Sequence, residues 1–207
     1  MAASLVALLA AAAAPLHAQD LGVGGRLGIV GGAVWFEDRE SIDIMQPMPG
    51  LQVGVVVAYR ARSAVSLQAE LWYVQKGWTE SRPGAGRRLS YVELPVFVTV
   101  TAPWKTAPQL VAGVSGGLEL GCSVVGAPEA GSVSCDDPRV AWRRRTAQFG
   151  VWLGLGVRRR FGARRFDLQL LGNLNLSDLN RETLPRGYTR LFSVAVSATY
   201  VVPLGGR

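Results

Sequence analysis

The sequence predicts an all-β protein, an up-and-down antiparallel transmembrane β-barrel of about eight strands. Three observations lead there. Apolar residues recur at every second position through eight segments of ten or more residues. The connections between these segments alternate between short and long. Lys and Arg avoid the segment middles, while aromatic residues gather at segment ends.

The chain has 207 residues, 49% hydrophobic and 18% charged, with a formal net charge of +7. That composition is too apolar for disorder. Residues 1–18 read as a secretory signal peptide: an apolar run from Leu5 to Ala14, the helix breaker Pro15, and the small Ala18 at the cut. A buried N-terminal helix is the competing reading of that segment. Residues 19–207 then form one barrel domain, with no linker or close repeat. No later run reaches the ~18 apolar residues that a transmembrane helix needs.

The predicted strands follow in order at 22–36, 50–60, 65–78, 88–102, 109–121, 147–160, 166–177 and 188–203. Short turns fall at 61–64, 103–108 and 161–165, and long loops at 37–49, 79–87, 122–146 and 178–187. The segment 147–160 sets Phe149, Val151, Leu153, Leu155 and Val157 against Gln148, Gly150, Trp152, Gly154, Gly156 and Arg158. The segment 166–177 sets Phe166, Leu168, Leu170, Leu174 and Leu176 against Asp167, Gln169, Asn173, Asn175 and Ser177. Each apolar face is long enough to cross a hydrocarbon layer at a tilt, which takes ~9–11 residues. A soluble lipocalin-like barrel also alternates, with its apolar face inward. Its wet face would scatter Lys and Arg along the strands, and its strands run to about 5–6 residues. Two aromatic belts are expected: Trp35, Phe36, Trp78, Tyr91, Tyr188 and Phe192 at the long-loop end, and Tyr59, Trp104, Phe161, Phe166 and Tyr200 at the short-turn end.

Gly50, Gly54, Glu70, Tyr73, Lys76, Gly77, Tyr91, Glu93, Pro95, Gly113 and Gly117 stand in an order that resembles the PorT-like outer-membrane β-barrel domain family. The Tyr-x-Glu-x-Pro element at Tyr91, Glu93 and Pro95 is the most specific part. The resemblance covers most of the chain after the signal. It implies a bacterial outer-membrane barrel of about eight strands and little chemistry. The chain departs from many outer-membrane barrels in ending "YVVPLGGR", with Tyr200 several residues from the end.

Glu93 and Pro95 sit inside one of the most apolar strands. Parity places Val92 through Val100 on the lipid side and Tyr91, Glu93, Pro95, Phe97 and Thr99 on the lumen side. Proline cannot donate to a ladder, so a bulge or a missing ladder bond is expected at Pro95. Glu70, Glu93, Glu119 and Asp167 share the lumen parity, with Arg26 and Arg158 able to face them. An eight-stranded barrel is only wide enough for side chains to fill, so these acids are expected in a polar network. A narrow conduit or pocket is the alternative.

Cys122 and Cys135 lack a C-x-x-C spacing and are expected to pair in an oxidising compartment. The "GVSGG" stretch at Gly113–Gly117 matches a nucleophile elbow, but no helix follows it. The one histidine, His17, lies in the signal segment. Catalytic residues, metal ligands and cofactors are therefore not expected, and Asp136 with Asp137 supplies too few ligands for a hard cation. Arg82, Arg87, Arg139, Arg143, Arg144 and Arg145 lie toward the long-loop end, where plain surface solvation is the first reading and contact of guanidinium groups with lipid phosphate the second. Nucleic acid would want one basic face with interleaved aromatics, which is not seen. The expected role is a monomeric outer-membrane barrel, structural or interacting, whose outward loops meet lipopolysaccharide or an unidentified protein partner. A narrow channel and, behind it, a lipid-modifying enzyme are the alternatives.

Overall fold

The computed structural model describes residues 21–38, 41–44, 46–79, 86–127, 131–138, 144–179 and 189–205. Residues 1–18, expected to be a signal peptide, and Tyr188, Arg82, Arg139 and Arg143 lie outside these residues.

Alternation of apolar and polar residues becomes strand in each of the eight predicted segments, with Ala102, Leu176 and Ser177 falling just past the strand ends. The strands are β1 (Leu21–Asp38), β2 (Ser41–Ile44), β3 (Gln46–Arg60), β4 (Val65–Thr79), β5 (Gly86–Thr101), β6 (Thr106–Ala127), β7 (Gly131–Ser134), β8 (Ala147–Phe161), β9 (Arg164–Asn175) and β10 (Thr189–Pro203). Eight of them form the barrel, in the order β1-β3-β4-β5-β6-β8-β9-β10, all antiparallel. β10 pairs with β1 from Phe36↔Thr189 to Gly22↔Pro203, which closes the sheet and removes its edges. β2 extends β1, and β7 extends β6, at the long-loop end. Several strands run a turn of chain beyond the prediction. β6 reaches Ala127, because its extension pairs with β7. Gly162–Ala163 makes a two-residue connection between the pair Phe161↔Arg164; Gly162 takes φ +64°, the left-handed conformation that such a hairpin turn requires.

The apolar faces look outward. Leu27, Ile29, Val55, Leu94, Val98, Leu110, Leu153 and Leu170 are exposed, while their neighbours of opposite parity are buried. A soluble barrel would bury that set, so the lipocalin-like reading fails on direction. Trp104, Phe161, Phe166 and Tyr200 are exposed at the short-turn end, as one aromatic belt requires. The other belt needs correction. Trp78 and Tyr91 are buried, since they share parity with Lys76 and Glu93 and point into the lumen. Phe192, expected in this belt, is exposed, and Phe149 joins it as an outward aromatic nearer the long-loop end, while the side chains of Trp35 and Phe36 lie outside those described.

Both ladders of β5 carry a local irregularity. The β4–β5 ladder lapses between Ala69↔Val96 and Trp72↔Glu93, skipping the place where Glu70 would meet Pro95. Pairing with β6 continues through Pro95↔Ser115. The proline therefore leaves a gap on one side without a bulge. A bulge does occur on β6: Leu120 is inserted between Tyr91↔Glu119 and Ser90↔Gly121. That one extra residue turns Cys122 inward.

Inward glycines are sockets for large side chains on the adjacent strand. A Cβ at Gly54 would lie 2.5 Å from Trp72 Cδ1, at Gly113 2.5 Å from Phe97 Cδ1, and at Gly154 2.5 Å from Leu171 Cδ2. Gly113→Val should therefore destabilise the barrel by about 1–3 kcal/mol through overpacking. Gly121→Ala, with nothing within 4 Å of the added atom, should stay within about 0.5 kcal/mol of wild type. Urea unfolding in lipid vesicles, followed by tryptophan fluorescence, measures both.

Candidate functional site

The lumen is crossed by a septum of aromatic rings. Trp72 from β4 meets Trp152 from β8 edge-on, with centroids 5.2 Å apart. Phe97 from β5 lies 5.6 Å from Trp72 and 6.4 Å from Trp152. The three rings are fully buried or nearly so. Trp152 Nε1 donates to Ser115 Oγ at 2.9 Å, which satisfies its one polar atom. Val30, Val74, Leu171, Leu191 and Ala195 pack with them into one apolar cluster.

A buried cation stands against each set of rings. The guanidinium of Arg26 lies 5.1 Å from the Trp72 ring and 5.8 Å from Phe97. Lys76 Nζ lies 5.6 Å from the Tyr91 ring and 5.7 Å from Trp152. Such contacts stabilise by ~0.5–2 kcal/mol where water is excluded.

Each cation is neutralised by an acid of the lumen parity. Arg26 donates through Nε and Nη2 to the two oxygens of Glu70, at 2.6 and 2.8 Å, and through Nη1 to Ser197 Oγ at 2.6 Å. Trp72 Nε1 also donates to Glu70, at 2.6 Å. Lys76 donates to Glu93 Oε1 at 2.5 Å, and Gln148 donates to the same oxygen. Asn175 holds Gln148 in place, donating to its Oε1 at 2.6 Å. Toward the short-turn end, Arg158 grips Asp167 at 2.8 and 3.1 Å. It also donates, at 3.4 Å, to Ser66 and Thr99.

The six predicted network residues thus fall into separate pairs rather than one network. Arg26 takes Glu70, Arg158 takes Asp167, and Glu93 takes Lys76. Glu119 keeps the lumen parity and lies at the long-loop mouth, its side chain buried and bound to Arg144 Nη2 at 2.6 Å. Arg144 also donates to Asp136 Oδ1 at 2.9 Å. Lys76, Trp72, Trp152 and Gln148 were missed by sequence reasoning. Lys76 had a readable signal, because it sits on β4 with the same parity as Glu70 and Trp72.

The mouth is braced by a disulfide. Cys122 and Cys135 are bonded, with Cα atoms 5.4 Å apart and a sequence separation of 13. Closing a loop of that length contributes roughly 3 kcal/mol on the chain-entropy account. The bond holds the turn after β7 against β6, which brings Asp136 beside Arg144. Asp136 is therefore an ion-pair partner, and among the described residues no group of three or more metal-ligating side chains is found. The hydrogen bond and charge of Arg144 hold the Asp136 carboxyl below its ordinary 3.8.

Arg144 is committed to these acids, so it is a brace rather than a simple exposed lipid contact. Arg87 is half-buried on β5, while Arg145 is exposed. A cleft of about 600 Å³ opens at this rim, lined by Arg144, Arg145, Thr146, Ala147, Phe149 and Ser177.

A closed antiparallel barrel with an apolar exterior and a paired ionic interior is an outer-membrane β-barrel protein. The chain belongs to the outer membrane protein beta-barrel domain family, whose model matches residues 17–181, and its place is the bacterial outer membrane. No curated protein matches the sequence. Among solved structures, Neisserial surface protein A is similar at 13% identity and a TM-score of 0.48, covering 86% of this chain and 96% of that one. The outer membrane protein OprG from Pseudomonas aeruginosa is 9% identical at a TM-score of 0.47, covering 87% and 94%. Ail, the attachment invasion locus protein of Yersinia pestis, is 10% identical at 0.47, covering 87% and 97%.

Removing one partner of a buried pair leaves the other charge uncompensated. Glu70→Ala should cost about 3–5 kcal/mol, whereas the double replacement of Arg26 by Met and Glu70 by Leu should recover most of it. Equilibrium unfolding of the single and double variants measures the difference. The pH response is expected at the mouth instead. Asp136 has a lowered folded-state pKa, so its bond to Arg144 is complete above the ordinary carboxylate range. It should be lost only as pH falls through a value below 3.8. The carboxyl ¹³C shift of Asp136 follows that titration, and a midpoint at or above 3.8 would contradict the contact.

Proposed function

We propose that the barrel is a closed outer-membrane platform whose long-loop end meets the anionic surface of the outer leaflet. The observation that carries this reading is the septum. Trp72, Trp152 and Phe97 span the lumen, and Arg26–Glu70 and Lys76–Glu93 fill the space around them. An eight-stranded interior leaves little room beyond its own side chains. A conducting path would have to break a buried ion pair and displace an indole.

Outer-membrane barrels keep short turns in the periplasm and long loops outside. On that rule both described ends of the chain, at Leu21 and Leu204, are periplasmic. The rim cleft then faces outward. Arg145 stands where lipid phosphate lies, and Phe149 below it points to the acyl region. That pairing of a cation over an exposed ring suits a phosphorylated glycolipid such as lipopolysaccharide better than a neutral ligand. Within the family, Tyr91, Glu93 and Pro95 with Lys76 and Gly77 favour the PorT-like group.

An enzymatic role is disfavoured. His17 is the one histidine and precedes the barrel, so a serine hydroxyl inside it has no imidazole base. Ser115, the centre of the elbow-like stretch, accepts a hydrogen bond from Trp152 within a continuous strand.

Planar-bilayer recording should show no discrete conductance steps for the wild-type chain. Steps that vanish in Glu93→Ala would sink the platform reading in favour of a channel. For the rim, Arg145→Gln should weaken lipopolysaccharide binding about tenfold, the worth of one charge-assisted bond, as read by native mass spectrometry. Unchanged binding would remove the cleft from the proposal.

A further inference from the structure

Among the described residues, the short-turn end of the lumen holds more positive charge than its acids balance. Arg60 and Arg158 lie near enough to repel both Arg160 and Arg165, and the acids that reach them are Asp167 and, farther off, Glu70, which is already bound to Arg26. Asp167 already gives both oxygens to Arg158. Arg165 Nε comes within 3.5 Å of Asp167 Oδ2, an ion-pair distance whose geometry makes no hydrogen bond. Both Nε and Nη2 of Arg165 are buried with no hydrogen-bond partner. Leaving a buried charged donor unpaired costs more than ~1–3 kcal/mol, so a partner from outside the chain is expected.

The space for one is present. A cavity of about 30 Å³ opens at this end, lined by Arg60 and Arg165 with Leu21, Ala58, Val201 and Pro203. That exceeds the ~10–15 Å³ that a single water requires. Further along the strands, Gln109 and Gln169 pack over Gly156. All four of their amide atoms are buried and unpartnered, as are the hydroxyls of Thr101 and Thr199. These side chains offer donors and acceptors for bound water behind the guanidinium groups. Phe166 and Tyr200, exposed beside Arg165 and Val201, put the opening at the level of the bilayer interface.

We propose that this end of the lumen is an oxyanion site, in which Arg165 and Arg60 take one phosphate group from the periplasmic side. A neutral polar ligand would leave the surplus charge standing, whereas phosphate cancels it. The planar guanidinium fork matches two phosphate oxygens at once. The phosphate is either the headgroup of an inner-leaflet phospholipid or the free inorganic ion. The site lies at the opposite end from the rim cleft, so the two stand or fall separately.

Two arms distinguish the sources. Inorganic phosphate is titrated calorimetrically into the folded barrel in neutral detergent. In parallel, the barrel is released from bilayers of phosphatidylethanolamine and phosphatidylglycerol and weighed by native mass spectrometry for one retained lipid. Arg165→Gln and Arg60→Gln should each weaken the interaction about tenfold, while Arg62→Gln, exposed on the same turn, should leave it within twofold. Heat-modifiable migration confirms that each variant is folded. Arg60 is exposed at the rim, so its variant carries the test if Arg165→Gln does not fold. Retained lipid without phosphate binding assigns the site to the headgroup, and the reverse assigns it to the free ion. No interaction in either arm, or one unchanged in the folded variants, overturns the proposal.

Discussion

Closure of the sheet between β1 and β10 is the constraint on which the rest depends. A closed sheet of eight strands has an interior about as wide as its side chains are long. Everything pointing inward must pack against something pointing inward from across the lumen. Charge cannot be left alone there, since an unpaired buried ion is far costlier than a paired one. The three ion pairs Arg26–Glu70, Lys76–Glu93 and Arg158–Asp167 are consequences of that width. So is the meeting of Trp72, Trp152 and Phe97, which arrive from three different strands.

The same constraint explains the glycines. Large rings fit a narrow lumen only if the neighbouring wall is bare. Gly54 and Gly113 are bare where Trp72 and Phe97 lean across them, and Gly154 is bare beneath Leu171. Polar sockets follow the same rule, with Gly117 beside Glu93 and Gln148, and Gly156 beside Gln109 and Gln169. The result is a solid interior in which ionic and aromatic contacts reinforce one another. Buried polar atoms without a hydrogen-bond partner occur along the lumen, among them both amide atoms of Gln52, Tyr91 Oη and Ser193 Oγ toward the long-loop end, and Gln109, Gln169 and Thr199 toward the short-turn end. On the proposed reading, function belongs to the two mouths rather than to a path between them.

Much of this was legible in the chain. Parity assigned Glu70, Glu93 and Asp167 to the lumen, and Leu94, Leu153 and Leu170 to lipid, because a strand's side chains alternate with a period of two. Partners were harder. Glu70 and Arg26 are 44 residues apart, and Glu93 and Gln148 are 55 apart. Which side chains face each other across a barrel depends on strand tilt and stagger, which no local pattern encodes. The partner of Glu119 was hidden for a related reason: Arg144 is 25 residues away, where the chain at Thr146 folds back onto β6. Trp78 and Tyr91 were assigned to a belt by their position along the strand. Parity, which had also placed Tyr91 on the lumen side, decides for both of them.

The acid and the proline inside the apolar strand β5 separate the two kinds of information. Sequence by itself determined that Glu93 and Pro95 face the lumen and that Val92 to Val100 face lipid, since alternation is a property of consecutive residues. It also determined that Pro95 must spoil one ladder bond. Only the tertiary structure decided the rest. The gap opens toward β4, Lys76 and Gln148 are the groups that hold Glu93, and the rings of Trp72, Phe97 and Trp152 close the lumen. Those contacts join strands that are distant in the chain, and they come into being when β10 returns to β1.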